Sequence, residues 1–501
     1  MNLVELAEIV SGEIFGGGES SERKVSGVSD DSRRVKYGDV FFAMRGGKND
    51  GKQFADEAVE RGACAIVTDE RVSFCQGDRR ITQIVVKNVR KALSLASCAF
   101  YDYPSKKMKI VGVTGTNGKT SVTYMLSSIF EGAGKKTGVI GTTGCIYGNV
   151  KIAPELTTPD PIFLQKILYE MQKSGVEYVF MEVSAHAIYY DKTAGMNFAA
   201  RVFTNFSQDH LDFFKSMTLY RETKESFFFD GEGKARDGVF IINADDECGR
   251  KIARNAENVE KARLIYGMEN PSDVFAVITD ESLDGSNFLL NVSDDLSAVT
   301  LPFIGRYNVY NALAAASCAA ALGIGVKTIA KGLKNAVAPK GRLQRVRGVN
   351  GAEIFIDFAH TPDSLEKSID ALRPFCKREL YVLFGCGGDR DRGKRAQMGA
   401  IAAKKADFAY LTSDNPRYED AQDIIAEIEN GFRRFSNACA TLTDRKKAIF
   451  YAVNFLKNGD VLLIAGKGGE ETQEIMGIKY EYDDERVAEQ AILAKIAGET
   501  E

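Results

Sequence analysis

"MKIVGVTGTNGKTSVTYML", residues 108 to 126, decides the reading of this chain. The apolar run Ile110 to Val113 has the look of a buried strand. Gly115 and Gly118 break it, and Lys119, Thr120 and Ser121 open a helical pattern that runs to Glu131. Glycines let backbone N–H groups approach phosphate oxygens, a helix N-terminus favours negative charge, a lysine reaches the outer phosphates, and a hydroxyl can hold Mg²⁺. The loop Gly115-Thr116-Asn117-Gly118-Lys119-Thr120-Ser121 is therefore expected to bind a nucleoside triphosphate. Guanine-reading switches carry an Asn-Lys-x-Asp signature, which this sequence lacks, so a GTPase is disfavoured.

Working outward, 501 residues exceed one core, and about 150 residues per domain predicts three domains. With 44% hydrophobic and 27% charged residues and a net charge of -4, the chain reads as a soluble globular enzyme with small-molecule partners, not a nucleic-acid binder. The start, "MNLVELAEIV", is acidic where a signal peptide is basic, and no apolar run approaches the ~18 residues of a membrane span. A cytoplasmic monomer with no membrane partner is expected. The nine cysteines form no CxxC pair and read as reduced core fillers.

Residues 1 to 103 mix short strands (Val40 to Met44, Ala65 to Thr68, Gln83 to Val86) with a helix over Gln53 to Arg61, and "YDYPSKKMK" reads as a solvated connector. From 104 to 335, strands at Ile110 to Val113, Val139 to Ile140, Tyr178 to Val183, Val202 to Asn205 and Val239 to Ile242 alternate with helices such as Ile162 to Lys173. Alternation of this kind predicts a parallel sheet with crossover helices. From 336 to 501 a smaller doubly wound unit is expected, with strands Ile354 to Phe358, Tyr381 to Phe384, Phe408 to Leu411 and Val461 to Ile464 and helices Asp363 to Leu372 and Ala421 to Phe432.

Two further segments carry chemistry. In "EYVFMEVSAHA" an apolar strand runs straight into Glu182, where a second metal-holding acid is expected beside a phosphate loop. In "FTNFSQDHLDFF" another strand ends at Asp209, His210 and Asp212. All three histidines of the chain, His186, His210 and His360, lie in such strand-end segments, which favours His210 as a metal ligand. Read bare, Lys224 in "LYRETKESFF" belongs to an amphipathic helix and pairs with neighbouring glutamates.

"GTNGKTS", "MEVSAH", "FTNFSQDHLD", "YRETKESFF", "GRYNVYNALAA", "GRLQRV", "IDFAHTPDSLEK", "TSDNPR" and "GKGGEETQ", in this order, resemble the Mur ligases over nearly the whole chain. The resemblance implies an α/β protein of three domains: an N-terminal UDP-binding domain, a central P-loop ATPase-type parallel-sheet domain and a C-terminal Rossmann-like doubly wound domain. It also implies an ATP-dependent amide ligase of peptidoglycan synthesis, in which the D-glutamate γ-carboxylate of UDP-MurNAc-L-Ala-D-Glu is phosphorylated and the acyl phosphate is attacked by the amine of a diamino acid. By the same resemblance Lys119 and Arg342 neutralise phosphate charge, and Asn308 and Asp357 help hold ATP. Thr120, Glu182 and His210 serve Mg²⁺, and Lys224 is carbamylated by CO₂.

Ser32, Asp50 and Gly51 match the family's uridine-nucleotide segment, and Thr157, Thr158, Ser184 and Lys192 its muramoyl-peptide contacts. Ala185 stands where the family usually has serine, and Tyr190 and Lys192 where it has glutamine and arginine. The loops "GCGGDRDRGKR", "TSDNPR" and "GKGGEE" each leave a parallel strand, so Arg390, Asp414, Asn415, Pro416, Arg417, Gly466 and Glu470 should meet in one crevice. The two arginines offer forks for a carboxylate, and the two acids can hold an ammonium. Asp-Asn-Pro-Arg marks family members that take meso-diaminopimelate. L-Lysine or lanthionine as acceptor, or a relative of the folylpolyglutamate synthase type, are the alternatives. Gly469 occupies a position where the family has histidine.

Overall fold

The computed structural model describes residues 1–16, 23–46, 49–73, 81–153 and 155–498. Gly47, Lys48 and Cys75 lie outside the described residues. The chain forms two compact units: Met1–Gly112 with Lys135–Ala200, and Val113–Gly134 with Arg201–Glu501.

In the first unit, strands β1 (Glu13–Phe15), β2 (Gly27–Ser29), β3 (Asp39–Phe42), β4 (Ala65–Thr68) and β5 (Thr82–Val85) make a sheet of order β1-β5-β4-β3-β2. Both faces are covered, because the apolar runs of β3 and β4 send alternate residues to opposite sides. Val40, Phe42, Ala65 and Val67 meet helices Leu3–Val10 and Val89–Phe100, while Phe41 and Ile66 meet helix Ala55–Glu60. Residues 103 to 107, expected as a connector, instead form a short helix, Pro104–Lys107. Proline is pre-set for its first position and Tyr103 turns into it at φ 48°. The same unit carries β7 (Thr137–Gly141), β8 (Gly144–Tyr147), β9 (Val150–Ile152) and β10 (Tyr178–Glu182) in the order β10-β7-β8-β9.

Strand β6 (Lys109–Thr114) leads along the chain into the second unit. There β11 (Ala200–Phe203), β12 (Val239–Asn243), β13 (Arg263–Gly267), β14 (Val274–Ser282), β15 (Gly285–Val292) and β16 (Asp295–Leu301) lie side by side in chain order. The pairs β14–β15 and β15–β16 are antiparallel, a meander that the expected parallel alternation does not contain.

The remaining sheet has β17 (Gln344–Val349), β18 (Ala352–Asp357), β19 (Leu380–Phe384), β20 (Phe408–Thr412), β21 (Cys439–Leu442) and β22 (Val461–Ala465) in the order β17-β18-β22-β19-β20-β21. All its pairs except β17–β18 are parallel. Leu463 and Phe355 point to one face, with residues of helices Pro362–Leu372, Gly393–Lys405 and Ala421–Phe432. Leu462, Ile354 and Ile356 point to the other, with residues of helices Arg445–Phe455 and Asp484–Ala497. This is the expected doubly wound sheet, and the last strand, β22, enters between β18 and β19. Loops leaving β18, β22, β19 and β20 therefore open at the same sheet end, the usual place for a ligand. A short hairpin, β23 (Thr472–Ile475) and β24 (Ile478–Glu481), follows.

Candidate active site

The phosphate loop is held from beside and below. Thr204 N–H donates to Thr114 O at 3.0 Å, so the segment after β11 runs along the loop. Thr116 N–H donates to Asn205 O (2.8 Å) and Asn117 N–H to Asn205 Oδ1 (2.9 Å), while Thr204 Oγ1 donates to Asn117 O (2.7 Å). Gly118 opens helix Lys119–Gly132 at φ 89°, and a Cβ there would run into the side chain of Asn311. Asn311 in turn donates to Asn308 Oδ1 (3.0 Å) on the buried helix Arg306–Ala321. Lys119 Nζ folds over the loop, donating to Gly115 O (3.0 Å) and Thr116 O (2.8 Å). Thr120 and Ser121 are buried in the first helical turn.

Arg342 reaches this loop from the segment before β17. Its Nη2 donates to Thr120 Oγ1 at 3.0 Å, and its guanidinium lies over the Phe358 ring at 4.4 Å. Asp357 aims it, since Oδ2 accepts from Leu343 N–H (2.6 Å) and Oδ1 from Ser368 Oγ (2.9 Å). Burial pushes the Asp357 carboxyl up, against the opposing pull of Arg342 and those two donors.

The Asp-His segment builds a charged cluster. Asp209 is buried, with Oδ2 at 3.2 Å from His210 Nε2 and 3.8 Å from His360 Nε2, and Oδ1 at 4.0 Å from Lys394 Nζ. Burial alone would raise its carboxyl, but the nearby His360 and His210 imidazoles and the Lys394 ammonium hold it well below the usual range. Gln208 Nε2 donates to Asp391 Oδ2 (3.1 Å) and Asn117 Nδ2 to Asp363 Oδ2 (2.9 Å).

Lys224, on helix Met217–Glu225, is 1% exposed. The pairing with neighbouring glutamates expected from its helix does not form. Glu225 instead takes Lys251 at 2.9 Å, and the Lys224 ammonium rests over the Tyr220 ring at 4.5 Å. Burial, reinforced by the charge of Lys119, pulls the Lys224 amine well below its ordinary range, despite Asp209, Cys248 and Asp246.

In the first unit, Glu182 ends β10 with its carboxylate buried, accepting from Thr142 N–H (2.8 Å) and Thr142 Oγ1 (3.2 Å). Thr142 Oγ1 lies 3.2 Å from Thr157 Oγ1, Thr158 Oγ1 donates to Glu182 O (2.8 Å), and Ser184 N–H donates to Thr158 Oγ1 (3.0 Å). Lys192 pairs with Asp160 at 2.7 Å. Thr157, Thr158 and Ser184 thus gather around Glu182. Ser32 instead donates to Glu57 (2.7 Å) on helix Ala55–Glu60, and Asp50 caps the turn Gly51–Phe54 through Lys52 N–H (3.1 Å). That helix touches both segments.

The residues expected to read the diamino acid do meet. Gly466 N–H donates to Asp357 O (3.1 Å), which ties the loop after β22 to the end of β18. Asn415 Nδ2 donates to Glu470 Oε2 (2.8 Å), Arg417 Nη1 to Gly388 O (2.7 Å), and Arg417 Nε lies 3.3 Å from Glu474. Burial and the neighbouring Arg417 both lower the Arg390 guanidinium from its usual value. Burial would raise Asp414, but Lys467 and Arg445 prevail and hold its carboxyl low. Pro416 closes the turn through its carbonyl, which accepts from Glu419 N–H (3.1 Å).

Three family models match consecutive segments: the Mur ligase family catalytic domain over residues 24–101, the Mur ligase middle domain over 113–319, and the Mur ligase glutamate ligase domain over 341–468. A UDP-N-acetylmuramoyl-L-alanyl-D-glutamate--2,6-diaminopimelate ligase of Caldanaerobacter subterraneus subsp. tengcongensis is 39% identical over 495 residues, 99% of each chain. The chain belongs to the Mur ligase family. The ligase of that same name from Chromobacterium violaceum is 40% identical over 472 residues, 93% of this chain and 94% of that one. A solved structure bearing this name superimposes with a TM-score of 0.66 at 30% identity, covering 97% of this chain and 100% of the other. The MurF ligase of Thermotoga maritima, solved with ADP, shares the fold at a TM-score of 0.59 and 20% identity, over 94% of this chain and 97% of that one.

The expected fold therefore holds: three Mur ligase segments on mostly parallel α/β sheets. Several side chains of this Mur ligase escaped the sequence reading. Asn205, Asn311 and Asp363 brace the phosphate loop, and Lys394 and Lys467 are lysines buried against carboxylates. One signal was available: buried-looking lysines inside the glycine-rich "RGKR" and "GKGG" turns, where a solvated cation has no reason to sit.

Proposed function

We propose that this chain is an ATP-dependent ligase that joins meso-diaminopimelate to the D-glutamate γ-carboxylate of UDP-MurNAc-L-Ala-D-Glu, releasing ADP and phosphate. The observation that carries the reading is the company kept in one unit by the lysine- and arginine-flanked phosphate loop: a strand-end crevice with two guanidinia, Arg390 and Arg417, and two carboxylates, Asp414 and Glu470. Such a crevice suits a zwitterion with an additional carboxylate. The names of the relatives support the same acceptor.

Phosphoryl transfer between two anions needs charge neutralisation and alignment more than a covalent nucleophile. Lys119, pivoting off the loop carbonyls, and Arg342, aimed by Asp357, supply positive charge to the transferring group. Backbone N–H groups of Gly115 to Ser121 cradle the phosphates, with Asn308 below them. The γ-carboxylate takes the phosphoryl group. The neutral amine of the diamino acid, oriented by its distal end on Arg390, Asp414, Asn415, Pro416, Arg417, Gly466 and Glu470, then attacks the acyl carbon and phosphate leaves. Ser32, Asp50 and Gly51 are assigned to the uridine nucleotide, and Thr157, Thr158, Ser184 and Lys192 to the muramoyl dipeptide. The three domains are assigned to residues 1–103, 104–335 and 336–501. The protein is assigned to the cytoplasm as a monomer without nucleic-acid or membrane partners; no described helix is long and apolar enough to cross a membrane.

Among the described residues no three His, Cys, Asp or Glu side chains gather as a ready-made metal cage. In the unit that holds the phosphate loop, the donors that suit Mg²⁺ are the Thr120 hydroxyl, His210, substrate phosphates and a modified Lys224, while the Glu182 carboxylate, in the other unit, is assigned to Mg²⁺ on its donor chemistry alone. As an ammonium beside Lys119, Lys224 offers a cation nothing, and as a neutral amine it offers only a nitrogen where Mg²⁺ takes oxygen ligands. Reaction of its neutral amine with CO₂ gives a carbamate and a proton, which turns the position into an oxygen donor, and the lowered amine supports that chemistry. Bound there, Mg²⁺ neutralises and aligns the phosphates.

The test is phosphate release with ATP, Mg²⁺ and UDP-MurNAc-L-Ala-D-Glu, comparing meso-diaminopimelate, lanthionine, L-lysine and D-Ala-D-Ala. Turnover with meso-diaminopimelate well above L-lysine is expected. Preference for L-lysine would overturn the acceptor assignment, and silence with all four the ligase reading.

A further inference from the structure

The Gly466-Lys467-Gly468-Gly469-Glu470 loop contains a lysine whose side chain is 0% exposed. Its three N–H groups are all spoken for: Asn415 Oδ1 at 3.0 Å, Glu470 Oε2 at 3.0 Å and Thr472 O at 2.7 Å. A saturated ammonium does not bind a ligand. It can, however, decide how its acceptors face.

Asn415 shows the effect. Its Oδ1 accepts from Lys467 and from Glu474 N–H (2.9 Å), which uses both lone pairs. The amide thus has one orientation, with Nδ2 turned toward the crevice. One Nδ2 hydrogen goes to Glu470 Oε2 (2.8 Å) and the second is left over. Glu470 Oε2 takes both Asn415 and Lys467, so Oε1 remains as an acceptor. The pair presents one fixed donor and one fixed anionic acceptor, the complement of the carboxylate and ammonium of an α-amino acid. Were the amide flipped, it would offer an acceptor to the carboxylate and lose Lys467.

We propose that Lys467 is a positioning residue for acceptor specificity: through Asn415 and Glu470 it sets the donor and acceptor that read the distal amino-acid end of the diamino acid. The inference rests on the acceptor assigned above. Lys467 belongs neither to the phosphate loop nor to the set assigned to the nucleotide substrate. Its loss therefore acts on one substrate only.

The test is steady-state kinetics of the full-length K467M variant, varying meso-diaminopimelate, ATP and UDP-MurNAc-L-Ala-D-Glu in turn. The expected result is a rise in KM for meso-diaminopimelate of about tenfold or more, the scale of one lost oriented charge-assisted contact, with KM for ATP and the nucleotide substrate within about twofold of the parent. N415D, which keeps the acceptor for Lys467 but removes the donor, should raise the same KM, and K467M/N415D should be no worse than the poorer single variant. An unchanged KM for meso-diaminopimelate in K467M, or an equal rise for all three substrates, would overturn the proposal. Should methionine at 467 prevent folding, K467M/E470Q, which removes both charges together, decides on the same criterion against E470Q alone. Wild-type turnover is scored first. No turnover with meso-diaminopimelate overturns the acceptor assignment, whereas normal turnover with an indifferent K467M overturns only the role of Lys467.

Discussion

Lys224 gathers the tension of the site into one side chain. A buried ammonium beside Lys119 costs stability, because the folded chain releases the proton at a lower pH than the unfolded one. Between the lowered folded value and the ordinary 10.5, the unfolded state binds more protons, so wild-type stability rises with pH across that window. K224M removes the penalty. In CO₂-free buffer it is expected to melt above wild type at pH 7, with the gap closing as pH climbs toward 10.5. The same variant should lose activity by roughly 100-fold or more, the scale of a lost electrostatic stabiliser, and addition of bicarbonate should raise the wild-type rate and leave K224M unmoved. Thermal melts across pH and paired activity assays check both halves. A variant that melts lower at pH 7 would show that the buried amine is satisfied as it stands.

At the scale of elements, the loop after β22 and the segment before β17 press together backbone to backbone. A Cβ at Gly469 would stand 2.7 Å from Lys340 O, on the stretch that delivers Arg342 to Thr120. Restoring the family's histidine by G469H should therefore harm rather than help: turnover is expected to fall about tenfold or more as Arg342 is displaced, and stability by ~1–3 kcal/mol from overpacking. Equal or higher turnover in G469H would mean that the loop yields freely. Much of this level was legible in the residues. Helix Ala421–Phe432 lies where its apolar spacing put it, and the glycine-lysine-threonine turn sits between strand and helix. The meander β14 to β16 was not, because Val274–Ser282 buries Val274 and Ala276 but exposes the apolar Phe275 and Val277, so no alternation of apolar and polar residues marks its faces. Nor were the partners of Asp209: His360 lies 151 positions along the chain, a contact no local pattern encodes. The bare reading of Lys224 failed for the same reason. Its helix offers glutamates, but packing turns the lysine inward and leaves Glu225 to Lys251.

Across the whole molecule, six of the eight described cysteines behave as apolar fillers, while Cys376 and Cys439 are half-buried. Cys64, Cys98, Cys145, Cys248, Cys318 and Cys386 are buried and unpaired by disulfides. Burial pushes the thiols of Cys98, Cys248 and Cys386 up to about 12 and that of Cys145 to about 11. A thiol reagent at pH 8 should leave these six unmodified in the native protein and react with all nine cysteines once denaturant is added, as mass spectrometry of the labelled chain would read. Rapid native labelling of the six would mean that the sheets open readily. Connectivity sets a last condition. The hydrogen bond from Arg342 to Thr120 spans 222 positions, and the side chains around the phosphate loop come from segments before and after the middle of the chain. A nascent polypeptide on the ribosome, even with its glycine-rich turn long since emerged, has no guanidinium at that turn and no far wall to it. A chain that ends before Arg342 lacks the guanidinium that reaches Thr120, so the phosphate loop is completed only once the segment before β17 has been made.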